Sequence, residues 1–257
     1  MINGINVYYY IIQIVLGIIA GTFSAIAVIR YKDEKKVFCK ETFDLIKRDG
    51  IPNLYTIILA NIGIYLALLY FLGISTTFLG NLNLLKYMLI TPLLIVTFVV
   101  DVRLREIPNR VTLFLFELAL INILILAFMN VNIALDAIYG ALFGAGVFIF
   151  LNIFGKLIYR QEAMGMGDVK LMGPLGAILG FTMTINLTLI AFVLASVIGI
   201  LVLLVRKTKK DEDGHIPFGP FLVISAYIMM VLPHNYAIEQ FLRFSNFLSE
   251  VLMNIVN

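Results

Sequence analysis

Apolar runs about as long as a bilayer is thick recur along this 257-residue chain and limit what it can fold into. A helix needs roughly 20 such residues to cross the hydrocarbon core. The runs fall at 7–29, 54–73, 85–101, 110–129, 132–155, 169–181, 184–205 and 217–233. Water is absent inside a bilayer, so each run must satisfy its own backbone amides by forming a helix. The sequence therefore predicts an all-α, polytopic membrane protein with about eight transmembrane helices. Hydrophobic residues make up 61% of the chain, against about 45–50% in soluble domains. The longest polar stretch is 30–53, which leaves no soluble domain of useful size.

Charge gives the orientation. With these spans, the polar segments after the first, third, fifth and seventh hold all but two of the nineteen Lys and Arg residues. Only Lys86 and Arg243 fall on the other side. Short positive loops stay in the cytoplasm, so the N-terminus is expected outside. Topology accounts for the basic residues, and no surface is left over for nucleic acid. The opening residues carry no basic segment and the first span runs into Arg30, so 1–29 reads as a retained anchor. A short cytoplasmic loop (30–53) and the transmembrane core (54–233) follow. The stretch 234–257 reads as an outer amphipathic helix with Glu239, Arg243 and Glu250 on its polar face. The single Cys39 excludes an internal disulfide and cannot build a cysteine-rich zinc site. Glycines at helical spacing in "GIIAG" (Gly17–Gly21) and "GALFGAG" (Gly140–Gly146) suit close helix packing. Gly180–Thr182 suits a tight outer turn.

Two acids at membrane boundaries carry the chemistry. Asp101, in "VVDVRLREIPNR", lies where the third span leaves the membrane; Asp168, in "GMGDVKL", lies where the sixth enters it on the same side. Matched depth is what a two-carboxylate site needs. Carboxylates that approach closely cannot both ionise comfortably, so one keeps a proton. The ionised member can take a proton from water as it attacks a peptide carbonyl, and the protonated member polarises that carbonyl. Neither role is assigned to one Asp, because the titration belongs to the pair. Gly165 and Gly167 allow backbone to run close to Asp168 and to an extended peptide. Pro108 rigidifies the turn after Asp101, and Asn109 is placed to cap the fourth span.

Four blocks resemble the type IV prepilin peptidase family of GxGD membrane aspartyl proteases. "GKLIYRQEAMGMGDVKLMGPLGAILG" (Gly155–Gly180) is similar to that family's central block, and "DVRLREIPNRVTL" (Asp101–Leu113) to its first aspartate segment. "GIIAGTFSAIAVIRYKDE" (Gly17–Glu34) and "HIPFGPFLVISAY" (His215–Tyr227) resemble its opening span and the block that opens its last. The resemblance implies that Asp101 and Asp168 are the catalytic pair. It implies cleavage of basic leader peptides from prepilins or pseudopilins at the cytoplasmic face of a bacterial cytoplasmic membrane, with pilus or secretion machinery nearby. Peptide cleavage calls for no cofactor. Many members also methylate the new N-terminus with S-adenosylmethionine, an activity associated with the first cytoplasmic loop. Here that loop lacks the paired-cysteine motifs of longer members, so no zinc is expected and methylation stays open.

Other residues have ordinary readings beside functional ones. Glu117, two turns inside the fourth span, either binds substrate, pairs with Lys170, or packs as a snorkelling glutamate. Lys170 reads as a boundary lysine. His215 and His234 fall on opposite faces, which argues against a shared metal. Pro217, Gly219 and Pro220 break regular helix, through either a bend near the site or packing. Three rivals stay open: a GxGD protease for another class of membrane peptide, a proton-coupled transporter, and a non-enzymatic assembly platform. The transporter predicts midplane charges and inverted repeats, and no repeat is visible.

Overall fold

The computed structural model describes residues 5–32, 54–159, 165–205 and 217–232. Among these, eight helices follow the order of the apolar runs: α1 (Val7–Lys32), α2 (Leu54–Leu72), α3 (Phe78–Leu104), α4 (Asn109–Met129), α5 (Val131–Tyr159), α6 (Met166–Leu179), α7 (Phe181–Val205) and α8 (Gly219–Val231). The all-α membrane fold holds: six of the helices are long and apolar enough to cross a bilayer. The loop 30–53 beyond Lys32 and the C-terminal amphipathic stretch, with Cys39, His215 and His234, lie outside the described residues.

α6 and α8 are shorter than a crossing. Their 14 and 13 residues span only about 20 Å each at 1.5 Å per residue. Both bury most of their length, from Asp168 through Leu179 in α6 and from Gly219 through Met230 in α8. They form the centre of the bundle. Neighbouring helices cover them over most of that length.

Small residues set how closely the helices approach. Gly17 and Gly21 of α1 lie on the backbone of Ile62 and Ile58 in α2. Gly140 of α5 faces Gly176 of α6 backbone to backbone, and Gly144 rests on the Met172 carbonyl. Any side chain at these positions would collide with main chain. Gly17, Gly21, Gly140 and Gly144 thus take the expected packing role, whereas Gly146 meets no neighbour within 4 Å.

α3 runs 27 residues through Pro92. A proline has no N–H, so the Met88 carbonyl one turn earlier has no helical donor. Tyr65 of α2 donates its hydroxyl to that carbonyl at 2.8 Å. Tyr227 of α8 donates to the Thr91 carbonyl at 2.8 Å and Ser24 of α1 to the Pro92 carbonyl at 3.2 Å. Hydroxyls from three helices thus surround the break in α3, nine positions before Asp101.

Candidate active site

Four helix ends meet at one rim of the bundle. α3 finishes at Leu104, with Asp101 in its last turn; Arg105 then takes left-handed backbone (φ 58°), and its N–H bonds to the Asp101 carbonyl at 2.9 Å. A bulky residue at positive φ is strained, and such strain concentrates at functional positions. The loop continues through Glu106, whose carboxylate accepts from the Tyr31 hydroxyl of α1 at 3.4 Å, to buried Pro108. α6 opens at Met166, with Gly165 as its boundary residue, so Asp168 sits in its first turn. There its charge faces the positive end of the helix dipole.

The rim brings Asp101 and Asp168 together. They are 4% and 7% exposed. Asp168 lies outside the six long apolar helices. Burial, and after it the nearby Asp101 carboxylate, push its carboxyl up from the ordinary range to about 7; the Gly165 backbone partly offsets this. Oδ2 of Asp101 is buried without a hydrogen-bond partner among the described residues. Two carboxyls so placed resist ionising together. The exposed Gly165 and Met166 line the open side of the rim.

Backbone closeness explains the glycines. A Cβ on Gly165 would stand 3.4 Å from Asp168 Oδ2, and one on Gly167 would stand 3.0 Å from the Ile107 Cβ. Gly219, at the start of α8, is tighter still: a side chain there would strike the Asp101 carboxylate and stand 3.4 Å from Ile107 Cδ1. Ile107 therefore wedges between the glycines that flank the two aspartates. Gly219 is held by its neighbour Phe218, whose ring packs on Phe192 and Phe148 with centroids 5.3 and 5.9 Å apart.

Other sequence expectations divide. Asn109 is not the cap of α4. The boundary residue is Pro108, Asn109 is the first helical position, and its side-chain oxygen accepts from Lys170 Nζ at 3.1 Å. That lysine takes the oxygen a cap would use. Lys170 is exposed beside the site and links α6 to α4, while Glu117 is exposed on the outside of α4, away from the two aspartates. No cluster of three His, Cys, Asp or Glu occurs among the described residues. Sequence reading passed over Ile107 and the strained Arg105, and left Gly219 between a bend and packing. The "IPFGP" signal was visible, but nothing in the order of residues joins position 219 to position 101.

Residues 88–200 match the model of the type IV leader peptidase family. A Pectobacterium carotovorum subsp. carotovorum protein named prepilin leader peptidase/N-methyltransferase is 31% identical over 169 residues, which cover 65% of this chain and 58% of that protein. An Aeromonas hydrophila protein of the same name is 30% identical over 159 residues, covering 62% and 53%. The Escherichia coli leader peptidase HopD is 31% identical over 100 residues, covering 39% and 64%. The chain thus spans little more than half the length of the curated relatives it matches first. No solved structure gives a significant match.

Proposed function

We propose, from the match of residues 88–200 to the model of the type IV leader peptidase family, that this chain is a membrane aspartyl endopeptidase. Its substrates are prepilins or pseudopilins, from which it removes a basic leader at the cytoplasmic face of the membrane. One observation carries the reading: two buried carboxylates, Asp101 and Asp168, lie near each other at one end of a largely apolar bundle.

The pair has the means for peptide hydrolysis. The ionised carboxylate takes a proton from water as the oxygen attacks the scissile carbonyl, and its protonated partner donates a hydrogen bond to that carbonyl oxygen. A tetrahedral oxyanion bearing the new hydroxyl results, and both carboxyls are then protonated. A carboxyl then delivers its proton to the leaving nitrogen as the C–N bond breaks, which restores a singly protonated pair. Glycines at 167 and 219 let Ile107 and the Asp101 carboxylate pack against backbone, and Gly165 does the same for Asp168. Lys170 and Asn109 stand at the mouth, where they brace α6 against α4.

The same names carry a second activity, so N-methylation of the new terminus with S-adenosylmethionine is the second reading. One experiment tests both. The purified full chain is incubated with a prepilin and labelled S-adenosylmethionine, and the products are weighed by mass spectrometry. Asp101→Asn and Asp168→Asn should each slow cleavage by at least about a hundredfold while the protein still inserts. Full activity in either variant would remove the proposed pair. Cleavage without label in the product removes methylation alone.

A further inference from the structure

The end of α6 remote from Asp168 has a polar cluster of its own. The helix stops at Leu179, and Gly180 (φ +87°) turns the chain directly into α7. The last carbonyls of a helix lack intrahelical partners, and a bilayer supplies no water to them. Side chains from two other helices stand in, and a hydroxyl of α7 joins the cluster. Lys86 Nζ of α3 donates to the Ile178 carbonyl at 2.8 Å, and Asn122 Nδ2 of α4 to the Ala177 carbonyl at 3.1 Å. Thr184 Oγ1 of α7 donates to the Gly180 carbonyl at 2.6 Å. Asp136 of α5 lies against Gly180 and interacts electrostatically with Lys86. The ammonium also faces the negative end of the α6 dipole.

Lys86 therefore joins α3 directly to α6, the two helices that carry the aspartates. At 1.5 Å per residue it lies about 22 Å along α3 from Asp101, and Ile178 lies about 15 Å along α6 from Asp168. The long seam of α6 against α5 runs through Gly140, Gly144, Gly173 and Gly176. Such a face presents few of the side-chain ridges that fix one helix lengthwise on another. The polar tie at the far end supplies what the smooth seam lacks.

We propose that Lys86 is a positioning residue which, with Asn122, sets the axial register of α6 and so seats Asp168 opposite Asp101. Its consequence for catalysis rests on the peptidase reading, whereas the register belongs to the fold and is measured without activity. A Cβ at Gly173 would stand 3.7 Å from that of Ala145, which suits a disulfide. The full chain in lipid nanodiscs, with Cys39→Ser, Ala145→Cys and Gly173→Cys, therefore reports register by its rate of disulfide formation. Lys86→Met should slow that rate by about threefold or more. In the chain without the added cysteines it should lower kcat by about tenfold with KM changed less than about twofold. Lys86→Arg should restore both. Lys86→Met leaves Asp136 without its partner, so Lys86→Met/Asp136→Asn and Asn122→Ala take its place if the single variant does not fold. Unchanged disulfide formation overturns the inference, and so does an unchanged kcat in a variant whose register has moved. If the parent chain cuts no prepilin, the peptidase reading fails, and disulfide formation still decides the register.

Discussion

Asp168 combines burial with a like-charged neighbour, and both act on its carboxyl in the same direction. Its pKa stands at about 7 instead of the ordinary 3.8. A raised carboxyl pKa keeps the proton as pH climbs through the usual carboxylate range and releases it near neutrality. On the proposed peptidase mechanism, the pair retains an acid below about 7 and has none left to polarise a scissile carbonyl above it. The kcat/KM for prepilin cleavage should therefore fall above pH 7, approaching tenfold per unit. A profile flat from pH 6 to 9 would show that this proton takes no part. The two aspartates were legible because each sits at the very edge of an apolar run, on the same predicted side of the membrane. Ile107, Arg105 and Gly219 were not: an isoleucine, an arginine and a glycine in such loops are common, and their meaning lies in what they touch. Asn109 shows the converse, since a good capping residue gave its oxygen to a lysine 61 positions away.

Among the elements, α3 illustrates how an apolar bundle handles a broken helix. Pro92 removes one backbone donor, and the Tyr65 hydroxyl occupies the carbonyl that donor would have served. Tyr65→Phe removes that partner and keeps the ring, which should reduce resistance to unfolding in denaturing detergent by about 1 kcal/mol. A variant as stable as the parent would mean that the Met88 carbonyl has no need of this bond. Hydropathy located α3 but marked only its most apolar part, from 85 to 101, and missed the first turns that the Thr77 cap begins. The α6 and α8 runs were found at the right places, but nothing in their hydropathy marked them as the centre of the bundle. Hydropathy does not separate a helix surrounded by lipid from one surrounded by other helices.

For the whole molecule, orientation is the property that local structure leaves open and charge distribution decides. The bias of Lys and Arg toward alternate loops predicts the N-terminus outside and the aspartate rim in the cytoplasm. In a Cys39→Ser background, a cysteine at Asn130 should react with an impermeant maleimide added to intact cells. One at Glu106 should react only after permeabilisation. Reversed labelling would invert the molecule and move the site to the other face. The sequence by itself determined the helical class, the order of the eight helices and the presence of two acids at one predicted depth. These follow from chain-local quantities: hydropathy, period and the cost of burying charge. Tertiary structure alone decided which helices lie inside, that Gly219 and Ile107 close around the aspartates, and that Lys86 ties α6 to α3. Those depend on contacts between residues tens to more than a hundred positions apart, and such distances in space are written nowhere along the chain.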